Sequence, residues 1–171
     1  MIPSTLITIA LAEYASRDDF QQIGKGSKIR HGIQWLFRAA VVALACYLDD
    51  CMLYAVPLAF LFSAVFRWRL NGLRGKDWRY VAPWSAVYDC WWVTLILHIE
   101  ARQWNPMQWT WPKAYHIMAW NAFYQHGSPL MRQRIHRAGT MAYIFEAVCF
   151  VAGTVWYIWA SRRRSREVMH I

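Results

Sequence analysis

The sequence predicts an all-α integral membrane protein with about four short transmembrane helices, an amphipathic N-terminal segment and an interfacial helix. Hydrophobic residues make up 57% of the 171-residue chain and charged residues 17%, whereas a soluble domain is about 45–50% apolar and about 25% charged. The chain contains 12 Trp and 9 Tyr, which favour the boundary between hydrocarbon and headgroups. Its basic residues cluster at the ends of apolar runs. These three observations together indicate a membrane protein.

The chain divides into an N-terminal segment and one membrane domain. Residues 1–30 are predicted to be amphipathic or interfacial, because their apolar stretch is shorter than the ~20 residues that a spanning helix needs. Residues 31–171 are predicted to form a single membrane domain. Its apolar runs give predicted spans at 33–48, 51–66, 81–99 and 141–160. A soluble bundle with long apolar helices is the alternative.

The loop between the third and fourth spans contains a further predicted helix at 112–126. Pro112 suits a first helical turn and Gly127 suits a C-terminal stop. Lys113, His116 and Asn121 would make a membrane crossing costly. This helix is therefore predicted to lie in the headgroup layer, although the sequence leaves a fifth crossing open.

The basic residues predict both lipid contact and orientation. The formal net charge is +9, but no nucleic-acid recognition module accompanies it, which argues against nucleic-acid binding. The predicted anchors to anionic headgroups are Arg67, Arg69, Arg74, Lys76, Arg79, Arg162, Arg163, Arg164 and Arg166. With four spans, the positive-inside rule gives an N-in and C-in topology, as in a bacterial-type inner membrane. Asp49 and Asp50 would then lie at an outer turn.

Three predicted spans each carry one ionisable residue well inside the apolar run, namely Arg38, Asp89 and Glu146. Such residues are costly in a membrane and need a partner or water. Arg38 could pair with Asp89 or Glu146 and fix the helix register. One Arg against two acids leaves one carboxylate over, which could line a hydrated path for protons or cations.

Helical spacing predicts that these ionisable side chains point inward. Arg38 shares a helical stripe with Val42, Ala45 and Asp49. Glu146 shares another with small residues that let helices approach closely. That second stripe consists of Ala142, Glu146, Cys149 or Phe150, Gly153 and Tyr157.

The turn between the first two spans suggests an outer cation site. Asp49 and Asp50 would lie at the same level as His98 and Glu100 at the end of the third span, and carboxylate oxygens suit a hard cation. The alternative is that the two aspartates form a solvated turn without a binding role. A disulfide between Cys46 and Cys51 is a further alternative if the turn faces an oxidising compartment. No cofactor is implied, and the identity of any metal is left open.

Two classes of function fit these residues best. The first is an oligomeric channel or transport protein for protons or small cations, formed as a homo-oligomer because one small chain encloses little space. The second is a non-catalytic accessory or assembly subunit of a larger membrane complex. A membrane-embedded metal-dependent enzyme ranks third. The sequence lacks HExxH and phosphate-loop motifs, so a non-enzymatic role is favoured.

Overall fold

The computed structural model describes residues 2–26, 31–81, 87–101 and 128–168, with side chains for all of these except 31–33, 87, 90, 97–101 and 164–168. Within these ranges every regular element is a helix, which confirms the predicted all-α class. The α-helices are α1 Ile2–Gly24, α2 His31–Leu48, α3 Ala55–Leu73, α4 Val87–Ala101 and α5 Pro129–Val168, and a 3₁₀ turn at Met52–Tyr54 precedes α3.

In these ranges two helical segments are long and apolar enough to cross a membrane, Met52–Leu73 and Pro129–Arg163. They overlap the second and fourth predicted spans. Gln34–Leu48 is apolar but shorter, and it matches the first predicted span. The third predicted span overlaps α4, which has 15 residues. The predicted interfacial helix at 112–126 lies outside the described residues.

The chain forms two compact units. Unit 1 contains Met1–Gly75 and Phe145–Ile171, and unit 2 contains Lys76–Ile144. The long helix α5 has 40 residues and contributes its first part to unit 2 and its second part to unit 1. Each unit is therefore treated below on its own.

Helix α1 is longer than the N-terminal apolar stretch, and it buries its small and polar side chains rather than its large apolar ones. It has 23 residues, and its buried stripe is small and polar: Ser4, Thr8, Ala12, Ala15, Ser16 and Asp19. Large apolar side chains such as Leu6 and Ile7 are exposed instead. Small side chains let α1 approach its main neighbour, α3, closely, while its large apolar side chains point outward.

The second part of α5 runs antiparallel to α3. Glu146 bonds Arg67 near the end of α3, at 2.8 Å. One end of the interface is closed by the rings of Tyr157 and Tyr54, whose centroids are 5.2 Å apart at the start of α3. The predicted inward stripe of Glu146, Phe150, Gly153 and Tyr157 is therefore confirmed as the face that packs in unit 1.

These directions correct one part of the predicted topology. Alternating spans would make the second and fourth predicted spans parallel, yet α3 and α5 are antiparallel. The start of α1 is also at the turn, because the Ser4 N–H donates to Asp49. In unit 1 the Asp49–Asp50 turn, the start of α1 and the end of α5 thus share one end. A protein with both termini inside would also have this turn inside.

Helix α5 begins earlier than the predicted fourth span because Ser128 caps it. The Ser128 hydroxyl accepts a hydrogen bond from the Met131 N–H at 3.1 Å, and Pro129 follows as the first helical residue. Serine before proline is a strong start signal that the sequence already contained. The early part of α5 then supplies part of the core of unit 2, namely Met131, Ile135, Ala138 and Ala142.

Candidate functional site

The buried charges of unit 1 form two ion pairs between helices. Arg38 on α2 donates to Asp19 on α1 at 2.6 Å, and both side chains are almost fully buried, with 7% and 3% exposed. The Arg38 guanidinium also lies 5.1 Å from the centre of the Phe66 ring on α3, a favourable cation–π distance. Arg38 therefore joins α1 and α2 and contacts α3.

The second pair is centred on Glu146, whose side chain is fully buried. Its carboxylate accepts a hydrogen bond from the Ser63 hydroxyl at 2.7 Å. It also accepts two from the Arg67 guanidinium, at 2.8 and 3.4 Å. Two donors on successive turns of α3 thus hold one acid of α5, and this arrangement fixes the register between the two helices.

Both ion pairs lie at a similar distance from the end of unit 1 that contains the Asp49–Asp50 turn. Arg38 is ten residues from Leu48 at the end of α2, and Glu146 is eleven residues from Tyr157, which packs at the turn end. At a rise of about 1.5 Å per residue, both lie roughly 15–17 Å along the helix axes from the turn end. We call Asp19, Arg38, Ser63, Arg67 and Glu146 the charged layer of unit 1.

The structure corrects the predicted pairing of Arg38. Its partner is Asp19, because the small face of α1 brings that carboxylate into the interior. Glu146 bonds Arg67 instead, because antiparallel packing places the end of α3 beside the first residues of α5 in unit 1. The sequence analysis counted one arginine against two acids and expected one carboxylate to be left over. This expectation fails for Glu146, because it has its own arginine, Arg67. Asp89 lies half-buried in the first turn of α4 in unit 2.

The Asp49–Asp50 turn has a structural task that the sequence did not reveal. The Asp49 carboxylate accepts the Ser4 N–H at 2.8 Å, so an acid from the turn after α2 caps the positive end of α1. This hydrogen bond lowers the pKa of Asp49 from its usual value. Asp50 has a positive φ of 52°, which aspartate tolerates better than most residues.

The two cysteines beside this turn are free thiols and are buried, so the alternative of a disulfide is not realised. The Cys51 sulfur lies 3.6 Å from the Ser4 hydroxyl, and the Cys51 N–H donates to the Cys46 carbonyl at 2.8 Å. Both residues close the turn against α1.

The predicted outer cation site stays a prediction. The side chains of His98 and Glu100 lie outside the described set, and in unit 1 Asp49 is already engaged with Ser4. Among the side chains that are described, no three potential metal ligands come together. The metal-dependent enzyme depended on the same four residues and likewise stays a prediction.

The predicted headgroup anchors have different environments. Arg67 is 8% exposed, and its guanidinium is bonded to the buried Glu146 carboxylate. Arg69 forms an ion pair with Glu13 at 2.7 Å, and Arg79 forms one with Asp77 at 2.9 Å. Lys76 and Arg162 are exposed, and Arg74 is half-buried. Arg163 lies over the Trp159 ring, while the side chains of Arg164 and Arg166 fall outside the described part.

Sequence reasoning missed Asp19 because it treated residues 1–30 as a surface segment. A signal was present: Ser4, Thr8, Ala12, Ser16 and Asp19 recur every three or four residues, which gives one narrow face. A small polar face on an otherwise apolar helix is typical of close packing in membranes. Comparisons with models of known protein families, with curated proteins and with solved structures found no match to this chain.

Proposed function

We propose that this protein is a non-catalytic membrane-embedded subunit that assembles or anchors a larger membrane complex. The observation that carries the proposal is the pairing of both buried acids of unit 1 with arginines, Asp19 with Arg38 and Glu146 with Arg67. A carboxylate whose oxygens are already engaged by a guanidinium is poorly placed to line a hydrated path. The charged layer instead ties four helices together and specifies their register.

A second observation supports assembly. In the most apolar window of the α5 segment, 11% of the residues are buried, so most of this helix needs lipid or another protein to cover it. One exposed apolar stripe lies opposite the charged layer, and it consists of Val148, Val151, Val155 and Trp159. We call this the outer stripe of α5. Its β-branched residues offer a regular surface for a neighbouring helix, from another copy or from a different subunit.

In this proposal the protein lies in a bacterial-type inner membrane, with α3 and the second part of α5 as two antiparallel spans. Both ends of unit 1 carry basic residues. The cluster of four arginines at 162–166 favours the cytoplasm for the C-terminal end. The Asp49–Asp50 turn then lies on the same side.

The experiment that tests the proposal is purification of the full chain in mild detergent, with mass measurement of everything that co-elutes. We expect other membrane polypeptides in fixed stoichiometry. Val151→Phe should abolish that association, because a bulkier apolar residue is accepted by lipid but not by a packed helix. The matched control is Leu44→Phe, at an exposed position of α2. Co-elution of copies of this chain alone would overturn the proposal.

An oligomeric proton or cation channel is the second candidate. It is favoured by Asp89, which is only half-buried on the apolar helix α4. For a channel we expect Asp89→Asn to abolish ion flux in liposomes while the oligomer stays intact. Normal flux through this variant would remove Asp89 from the path.

A further inference from the structure

Unit 2 contains a basic cavity that neither proposed function uses. Its volume is about 640 Å³, within the range of small-ligand sites. Arg132, His136 and Arg137 line it from the first part of α5, and Arg79 lines it from the segment before α4. Five further described residues line it: Ile96, Pro129, Gln133, Thr140 and Met141.

The face of α5 that lines the cavity is a regular helical stripe. Pro129, Arg132 or Gln133, His136 or Arg137, and Thr140 recur every three or four residues, so their side chains lie above one another. The neighbouring stripe is the core of unit 2. The core thus fixes the rotation of α5 and directs the basic stripe toward the cavity.

Gly139 allows the segment that carries Arg79 to pack against α5 and line the opposite side of the cavity. A β-carbon at this position would lie 1.7 Å from the carbonyl oxygen of Arg79, so only glycine lets the backbone of the 77–81 segment rest directly on α5. The Arg79 side chain then donates to both carboxylate oxygens of Asp77, at 3.0 Å from Nε and 2.9 Å from Nη2. This hydrogen bonding holds the pKa of Asp77 well below its usual range.

The described lining of the cavity is rich in guanidinium groups. Arg79 is bonded to Asp77, and the lining contains two more arginines, Arg132 and Arg137. Both of these arginines are exposed, so a ligand can reach them. Unit 2 as a whole has seven Lys and Arg residues against three acids. The combination of guanidinium groups with the apolar side chains of Ile96 and Met141 suits an anionic group attached to an apolar or neutral body.

We propose that this cavity binds a phosphate ester through Arg132, Arg137 and His136. The planar guanidinium matches phosphate oxygens with two parallel hydrogen bonds, and the Thr140 hydroxyl and Gln133 amide add neutral donors. The ligand is the headgroup of an anionic phospholipid or a soluble phosphate ester. The site does not depend on the assembly role, because one purified chain contains every residue that it uses.

Native mass spectrometry of the full chain in detergent tests the site, with short-chain phosphatidic acid, phosphatidylglycerol and phosphatidylcholine as probes. Glycerol 3-phosphate and inorganic phosphate form the soluble arm. We expect the Arg132→Gln/Arg137→Gln variant to lose affinity by about tenfold or more, since charge-assisted hydrogen bonds from guanidinium to phosphate are stronger than those between neutral groups. Binding of the anionic lipids alone identifies a headgroup site, and binding of glycerol 3-phosphate identifies a soluble ester.

Two further variants keep the test decisive. Arg134→Gln/Arg162→Gln removes the same charge outside the cavity and should change affinity less than twofold. Gln133→Trp keeps every charge but fills the cavity, and it should weaken binding as strongly as the arginine variant, with helix content unchanged by circular dichroism. Equal losses in the two charge variants, unchanged binding in Gln133→Trp, or no phosphate probe bound above phosphatidylcholine would overturn the proposal.

Discussion

At the residue scale, the buried charges act as ties between helices. Glu146 receives hydrogen bonds from Ser63 and Arg67 in a fully buried setting, and Asp19 receives one from Arg38. A buried pair gains little over an apolar pair of the same shape, because both ions lose their hydration. Removing one partner is costly, however, since the other charge then stays buried without compensation. The value of these pairs is therefore mainly in specifying how the helices fit together.

A double-mutant cycle on Arg67 and Glu146 checks this interpretation. We expect Arg67→Met and Glu146→Leu each to destabilise the fold by about 3–5 kcal/mol, and the double variant by clearly less than the sum. The measurement is thermal unfolding in detergent. The matched control is the half-exposed pair of Glu13 and Arg69, where the same changes should have much smaller effects. Additive losses at Arg67 and Glu146 would contradict the coupling.

The two aspartates of the turn should respond differently to substitution. Asp49→Ala removes the acceptor of the Ser4 N–H and should lower the unfolding temperature by loosening the start of α1. Asp50→Gly should be neutral or stabilising, because glycine adopts the positive φ of 52° without strain. Unfolding curves of the two variants in the same detergent make the comparison. A larger loss for Asp50→Gly would contradict these roles.

The contribution of Asp49 should depend on pH. Its pKa in the folded protein is lowered by the Ser4 hydrogen bond, so the folded state binds the proton more weakly than the unfolded state. The stabilisation is then complete above the ordinary value of 3.8 and is lost as the pH falls through the lower folded value. We expect the unfolding temperatures of the wild type and Asp49→Asn to converge on acidification below about pH 4. A constant difference down to about pH 2 would contradict the assignment.

At the scale of elements, close packing depends on small residues facing rigid ones. Pro57 lies in the first turn of α3, where a proline breaks no helical hydrogen bond, and its ring packs on Gly153 of α5. A β-carbon at Gly153 would lie 2.7 Å from Cγ of Pro57. The proline ring cannot rotate away, so a side chain there would have to separate α3 from α5.

Substitution of Gly153 checks this contact. We expect Gly153→Ala to destabilise unit 1 by about 1–3 kcal/mol through overpacking, and Pro57→Ala to restore most of the loss by removing the ring. Thermal unfolding of both single variants and the double variant gives the answer. A helix-propensity effect alone would stabilise Gly153→Ala, since alanine is the better helix former, and would therefore contradict the close contact.

At the scale of the whole molecule, helix direction decides which segments of unit 1 lie at the same end. In unit 1 the Asp49–Asp50 turn and the C-terminal end of α5 lie together, while Gly24 at the end of α1 and Leu73 at the end of α3 lie at the other end. Any membrane crossing by this unit must keep that grouping. The grouping is a stronger constraint than charge, because both ends carry basic residues.

Cysteine labelling can test the grouping directly. In a chain whose four native cysteines are replaced by alanine, we expect Asp50→Cys and Arg162→Cys to react with an impermeant maleimide from one side of sealed vesicles. Lys25→Cys and Arg74→Cys should react only from the opposite side. If Asp50→Cys and Arg162→Cys reacted from opposite sides, the antiparallel arrangement of α3 and α5 would be wrong.

The sequence by itself determined the helical class, two apolar segments that could span a membrane and the inward faces of α2 and α5. The spacing of residues along a helix and their hydropathy are local properties of the sequence. Arg38, Val42 and Ala45 could therefore be assigned to one stripe without knowing which helix they contact. The same reasoning indicated that Glu146 and Gly153 share a packed face. These predictions need only the 3.6-residue repeat of one helix.

Only the tertiary structure decided which charges meet. The partner of Arg38 is Asp19, and the partner of Glu146 is Arg67, and each choice depends on a helix direction that no local pattern encodes. The antiparallel packing of α3 and α5 selects Arg67, and the small face of α1 admits Asp19 to the interior. An ion pair depends on distances of a few ångströms between segments far apart in the chain, so its partners are set by packing rather than by composition.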